Sequence, residues 1–204
     1  KQIKKRIQRM TSGQPVYPAL LKEIRDYPKE LYYIGDPKLL EEKCVSIVGS
    51  RKTNQYGRST AYSFGKALGQ RGITVVSGMA VGIDTCAHEG ALQEKGHTAA
   101  VLACGLDLCY PSRNRELKGK IESEGIVLSE YPPGTAAQRY YFPQRNRIIS
   151  GLSPLTVVVQ AGNRSGALIT AERAADQGGE VGAVPGNITS GYNLGGNTLL
   201  RGGA

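Results

Sequence analysis

With 204 residues, 40% of them hydrophobic, the chain can bury a full core as one generous domain, and no apolar run approaches the length needed to cross a membrane. Four cysteines without a CxxC pair (Cys44, Cys86, Cys104, Cys109) argue against a disulfide framework and for reduced thiols in a cytoplasmic protein. The formal charge of +9 suggests a polyanionic partner, yet Lys1, Lys4, Lys5, Arg6 and Arg9 crowd the first ten residues; taking these five from the 26 cations leaves 21 against 17 acids, so any nucleic-acid surface on the folded body is a local patch.

Residues 1–16 read as a basic lead-in or the remnant of a preceding domain, and 17–204 as the main domain. A first residue other than Met, and a GGA end without a closing helix, mark the chain as a piece of a longer one. Pro15, Pro18 and Pro28 break the lead-in, which covers one side of the sheet and ends in a short edge strand at Leu31–Ile34. Val45–Val48 is a buried strand, turned at Gly49 into a helix after Tyr56. Further strands are expected at 73–76, 98–103, 126–130, 155–160 and 181–184. Helices are expected at 85–95, 115–124, over PQRNRIISGLS and at 167–177. The alternation specifies an α/β fold, a mainly parallel sheet with helices on both faces.

Ligands of such sheets sit beyond the carboxyl ends of the strands, where successive loops share one rim. The loops expected there are GSRK (Gly49, Ser50, Arg51, Lys52), SGMAVGID (with Gly78, Ala80 and Gly82), CGLDLCYPSRN (with Arg113), the stretch leading to FPQRNR (Phe142, Gln144, Arg145, Asn146, Arg147) and AGNRSGALIT (with Ser165 and Gly166). Glycines at a rim let backbone approach a ligand, and N–H groups at helix starts attract phosphate, although any one glycine can simply make its turn. From Tyr131 to Ala171 there is no acid, while Arg139, Arg145, Arg147 and Arg164 are present beside Tyr140, Tyr141 and Phe142. Guanidinium groups next to aromatic faces suit unstacked bases, and no basic recognition helix suggests duplex readout. The convergence is specific enough to require Arg51 and Arg147 on the same side of the molecule.

Other chemistries lack their parts. GSRKTNQYG is neither a dinucleotide fingerprint nor a Walker loop, so no nucleotide cofactor is expected. His88 and His97 have no metal-ligand partners at suitable spacing and read as structural or surface residues, leaving no metal. Asp84 reads as a helix cap and Glu172 as an exposed helix charge, leaving no catalytic residue.

Taken together, GSR at 49–51, SGMAVGID at 77–84, LACGLDLCYPSRN at 102–114, SEYPPGT at 129–135, FPQRNRIISGLS at 142–153, SGALITA at 165–171 and VPG at 184–186 resemble the DNA-processing protein A family, also called DprA or Smf. The resemblance covers the chain from about Tyr17 onward. It implies an extended Rossmann-like domain that binds single-stranded DNA in a basic pocket, forms a homodimer and helps load the recombinase RecA on incoming strands in natural transformation. It also implies that Arg51 holds a backbone phosphate and that Phe142, Arg145, Asn146 and Arg147 line the same pocket. Gln160 stands where similar chains carry an acid, Gly179 and Gly182 replace bulkier residues, and GGNTLLRGGA keeps only the outline of the family's tail. The alternatives are a LOG-like nucleotide phosphoribohydrolase, whose PGG loop is here AGNR, and a nucleotide-sensing module.

Overall fold

The computed structural model describes residues 6–41 and 43–204. Lys1, Lys4 and Lys5 of the expected basic arm lie outside the described residues. Eight strands form one sheet: β1 (Gln8–Thr11), β2 (Glu30–Gly35), β3 (Cys44–Gly49), β4 (Thr74–Ser77), β5 (Thr98–Leu102), β6 (Ile126–Ser129), β7 (Leu155–Gln160) and β8 (Glu180–Ala183). Their spatial order is β1-β2-β6-β5-β4-β3-β7-β8, parallel from β6 to β8 and antiparallel at β1 and β2. Among the described residues, six α-helices accompany them: α1 (Gln55–Gly69), α2 (Ile83–Ala91), α3 (Arg115–Glu124), α4 (Tyr141–Gly151), α5 (Gly166–Asp176) and α6 (Leu194–Arg201).

The central strands are buried on both faces, and their side chains alternate between two cores. Ile47, Val75 and Val159 pack with Ala61, Ile83, Ala87 and Ala91 under α1 and α2, and Ala100, Leu102 and Val127 continue that face under α3. Val48, Val76, Val101 and Val158 point the other way, against α4, α5 and the lead-in residues Tyr17, Leu21 and Ile24. This period of two, apolar on both sides, is why β3–β7 are legible as Val- and Ile-rich runs. α1 meets α2 through Ala61, Gly65 and Gly69, buried at four-residue spacing, while Gly57, one turn earlier, lies against Thr53 and the Gln160 side chain. A side-chain carbon at Gly65 would collide with the Ala87 carbonyl, so the two backbones touch directly.

Three expectations are corrected. The strand at 31–34 is β2 and not an edge. The edge is β1, whose Met10 is buried opposite Leu31, so the lead-in from Gln8 onward is part of the sheet. Pairing of β1 is long-range, and QRMT carries no local strand signature. The tail does close with a helix: Gly195 and Gly196 disfavour α6 in isolation, but both are buried, Gly195 against the carbonyls of Ala161 and Gly162. Finally, Gly82 occupies the cap position of α2, so Asp84 lies in its first turn.

The chain returns from β6 across the sheet through α4 to place β7 on the opposite side of β3 from β4. The strand order therefore reverses between β3 and β7, and a crevice opens there at the carboxyl ends.

Candidate functional site

Three adjoining hollows occupy this edge, and Arg51 lines all of them. The first, about 350 Å³, lies at the β3–β7 switch between the turn after β3, the start of α5 and the flank of α4. Gly49, Ser50, Arg51, Ala80, Phe142, Arg145, Asn146, Ser165 and Gly166 all line it, so the structure gathers these expected residues into one place. Lys52, Gly82 and Arg113 line the second hollow; Arg113 also borders the third with Gly78, Ala80 and Phe142.

Short polar links hold the loops together. The Ser50 N–H donates to the Gln160 carbonyl at 2.7 Å, and the Ser50 and Ser165 hydroxyls meet at 3.3 Å. Ser165 caps α5 by accepting from the Ala167 N–H, and the Asn146 amide donates to the Gly166 carbonyl at 3.4 Å. Gln160, buried at the end of β7, uses both ends of its amide. Its oxygen accepts from the Thr53 hydroxyl at 2.7 Å and the Asn54 N–H at 3.3 Å, while its nitrogen donates to the Asn54 side chain, itself the cap of α1. The loop behind Arg51 is thereby tied to β7.

The loop after β4 is held as firmly. Met79 sits at φ 59°, a left-handed conformation that costs a non-glycine residue energy. Its N–H donates to His88 Nε2 at 3.3 Å and its carbonyl accepts from the Asn114 amide at 2.9 Å. His88 is fully buried with Nδ1 2.7 Å from the Thr98 hydroxyl, and burial drives its pKa down to about 3, so the ring is neutral. This is the structural histidine the sequence suggests. Gly82, at φ 87°, backs onto the carbonyls of Ser50 and Arg51 and lets the two turns touch.

Arg145 is buried beneath the crevice. One Nη donates to the carbonyls of Gly78 and Val101, so it bridges the ends of β4 and β5 to α4, and a side-chain carbon at Gly78 would lie 2.7 Å from its guanidinium. Burial lowers its pKa to about 10, with the Asp84 charge opposing that shift, so it stays cationic at neutral pH. Asp84 faces the first hollow, buried, its carboxylate accepting from the Ala80 N–H; burial raises its pKa against the pull of Arg145. Arg51 is exposed, its guanidinium 4.9 Å from the centre of the Phe142 ring, which in turn leans on Tyr110 at 5.4 Å. A cation and an aromatic face thus stand side by side at the mouth, able to meet a phosphate and a base.

Two expected residues leave the site. Arg147 does not share a side with Arg51: it is held by Asp26 at 3.2 Å and Glu130 at 2.6 Å and lines none of the three hollows. Gln144 likewise points away and accepts from the Tyr131 hydroxyl. The reason is helical: residues two apart on α4 diverge by about 200°, so Phe142, Arg145, Asn146 and Ile149 share the crevice face while Gln144 and Arg147 share another. The required pairing of Arg51 with Arg147 therefore fails. The convergence of the loops after β3, β4 and β7 with α4 rests instead on the contacts above. Tyr140 and Tyr141 also fall outside the hollows; they meet edge to face, and Tyr141 lies against the Tyr131 ring at 4.0 Å. Residues the sequence reasoning passed over are Asp84, hidden by its reading as a cap, and Tyr110, in a loop whose rim position was the available signal. Glu172 is exposed and outside the hollows.

A sequence model of the family described as "DNA recombination-mediator protein A" matches residues 8–204. The chain is 44% identical over 188 residues to DNA processing protein DprA of Streptococcus pneumoniae, covering 92% of this chain and 66% of that one. It is 42% identical to the Bacillus subtilis DprA, with 92% and 64% covered. It thus spans about two thirds or less of the length of these curated relatives. Among solved structures, DprA of S. pneumoniae superposes with a TM-score of 0.94 at 41% identity, covering 98% of this chain and 70% of that one. DNA processing protein A from Helicobacter pylori, a structure concerned with that protein's single-stranded DNA binding mode, superposes at 0.87 with 29% identity, covering 98% and 91%.

Proposed function

This chain belongs to the DNA recombination-mediator protein A family, and on that premise we propose that it binds single-stranded DNA at the edge formed by the turns after β3, β4 and β7 and the inner face of α4. The observation that carries this reading is Arg51: exposed, without an ion-pair partner among the described residues, stacked on Phe142, and common to all three hollows. A flexible strand can wrap such a mouth and stack its bases, which a duplex cannot. The structural interest of the H. pylori relative in its single-strand binding mode supports the same ligand class. Titration of labelled oligo-dT by fluorescence anisotropy tests it; a protein that leaves the oligonucleotide unbound at low salt refutes it.

We further propose, from the family likeness, that the protein acts as a homodimer in the cytoplasm, protects incoming strands and helps RecA load on them. Sedimentation for the dimer and RecA filament assembly on pre-bound strand, with and without the protein, are the tests. Binding rather than hydrolysis is our reading, because Glu172 and Arg147, the acid and the arginine of the phosphoribohydrolase alternative, stand outside the crevice. Incubation with AMP followed by chromatography detects free adenine if that alternative holds. Competition between AMP and oligo-dT separates a nucleotide sensor from a strand binder.

A further inference from the structure

The second hollow, about 540 Å³, differs in chemistry from the first. The first contains the carboxyl of Asp84; the second is walled by four cationic side chains, Arg51, Lys52, Arg58 and Arg113, and by no carboxylate. None of the four forms an ion pair among the described residues, whereas Lys66, Lys118, Lys120 and Arg147 all do. Like charges gathered around one concavity repel one another, and their field is relieved by an anion seated among them.

Arg58 supplies an independent observation. Asn54 caps α1, so Arg58 stands at the first turn, where the helix dipole favours acids and disfavours cations; that turn contains no acid. The arginine works against its own helix unless an anion lies just beyond the helix start, where backbone N–H groups, Arg58 and Lys52 meet it together. Arg113 has a similar position in the turn Ser112–Asn114 directly before α3. The exposed ring of Tyr192 stands at the same hollow.

We propose that this hollow is a second phosphodiester subsite for the same strand. Arg51 is the shared post between the two, and Tyr192 offers a stacking face to a base beyond it. The proposal rests on the single-strand reading above and gives the strand a course, from the α4–α5 side across Arg51 toward the starts of α1 and α3.

Two experiments on the chain test it. In the first, wild-type protein is treated with phenylglyoxal alone, with a thymidine dinucleotide at a concentration that protects Arg51, and with dodecathymidylate, and modification is read by peptide mass spectrometry. The expected result is protection of Arg58 by the dodecamer and not by the dinucleotide. Protection by neither, or by both alike, overturns the second subsite. Failure of both ligands to protect Arg51 overturns the single-strand reading itself, and this inference with it. In the second, Arg58→Gln, an exposed change between comparable helix formers, weakens dodecamer binding on the order of tenfold and makes the salt slope shallower by about 0.7, while Arg58→Lys keeps the slope. A glutamine variant with wild-type dodecamer affinity and slope also overturns the subsite and leaves the first hollow untouched.

Discussion

Replacing Arg51 by Ala separates binding from folding, because Arg51 carries little structural load. Its guanidinium makes no ion pair among the described residues, and its one marked contact is the Phe142 ring at 4.9 Å. An exposed cation–π contact is worth about 0.5–1 kcal/mol, which bounds the stability cost of the change. Against a phosphate the same side chain gives a charge-assisted hydrogen bond worth roughly 1.5–3 kcal/mol, a loss of roughly ten- to over a hundredfold in affinity. One fewer neutralised phosphate on a single strand also makes the slope of log affinity against log salt shallower by about 0.7. Arg51→Lys should hold the slope but not the full affinity, since the planar fork is lost and the charge is kept. The assay is anisotropy with labelled oligo-dT over a salt series, paired with denaturant unfolding of each variant. An Ala variant with wild-type affinity and slope refutes the assignment of Arg51 to the strand. A variant that loses affinity together with several kcal/mol of stability refutes the claim that Arg51 serves the ligand rather than the fold.

Phe142→Ala should weaken oligo-dT binding by about 1–3 kcal/mol, the worth of one stacked base, with the salt slope unchanged because no charge is removed. Arg147→Ala should behave in the opposite way: loss of its contacts to Glu130 and the more exposed Asp26 costs about 1–3 kcal/mol of stability by denaturant unfolding, and the salt slope for DNA stays at the wild-type value. For His88, burial sets the folded pKa near 3, below the ordinary 6.5, so the unfolded chain binds the extra proton and stability falls as pH drops between those values, by about 1.4 kcal/mol per unit. Asp84, its pKa raised by burial, acts in the opposite sense over the acidic range. Unfolding curves from pH 7 to 4 for wild type and His88→Gln should therefore differ in slope, the variant being the flatter.

The alternation of strands and helices was legible because each depends on local periodicity. The Val- and Ile-rich runs at 45–48 and 155–160 are buried on both faces, and their side-chain pattern states this directly. The rim loops were legible for a related reason: in a parallel sheet every strand ends on the same border, so GSR, SGMAVGID and AGNRSG had to be neighbours once the strands were known. The family motifs agree because they are those same loops.

What the chain could not state locally were choices made by long-range contact. β1 exists only because Leu31 and its neighbours give QRMT something to pair with, and α6 holds two glycines because the carbonyls of Ala161 and Gly162 press against Gly195 and the Asn193 side chain against Gly196. On α4 the motif FPQRNR offered two arginines to one pocket, but a helix turns about 100° per residue and delivers them to different places. Arg145 goes under the crevice to brace β4 and β5, and Arg147 goes to Asp26 of the lead-in and Glu130 just after β6. Composition supplies the positive charge of this protein; only the packing of its helices against the sheet determines which of those charges are left without a partner at the rim.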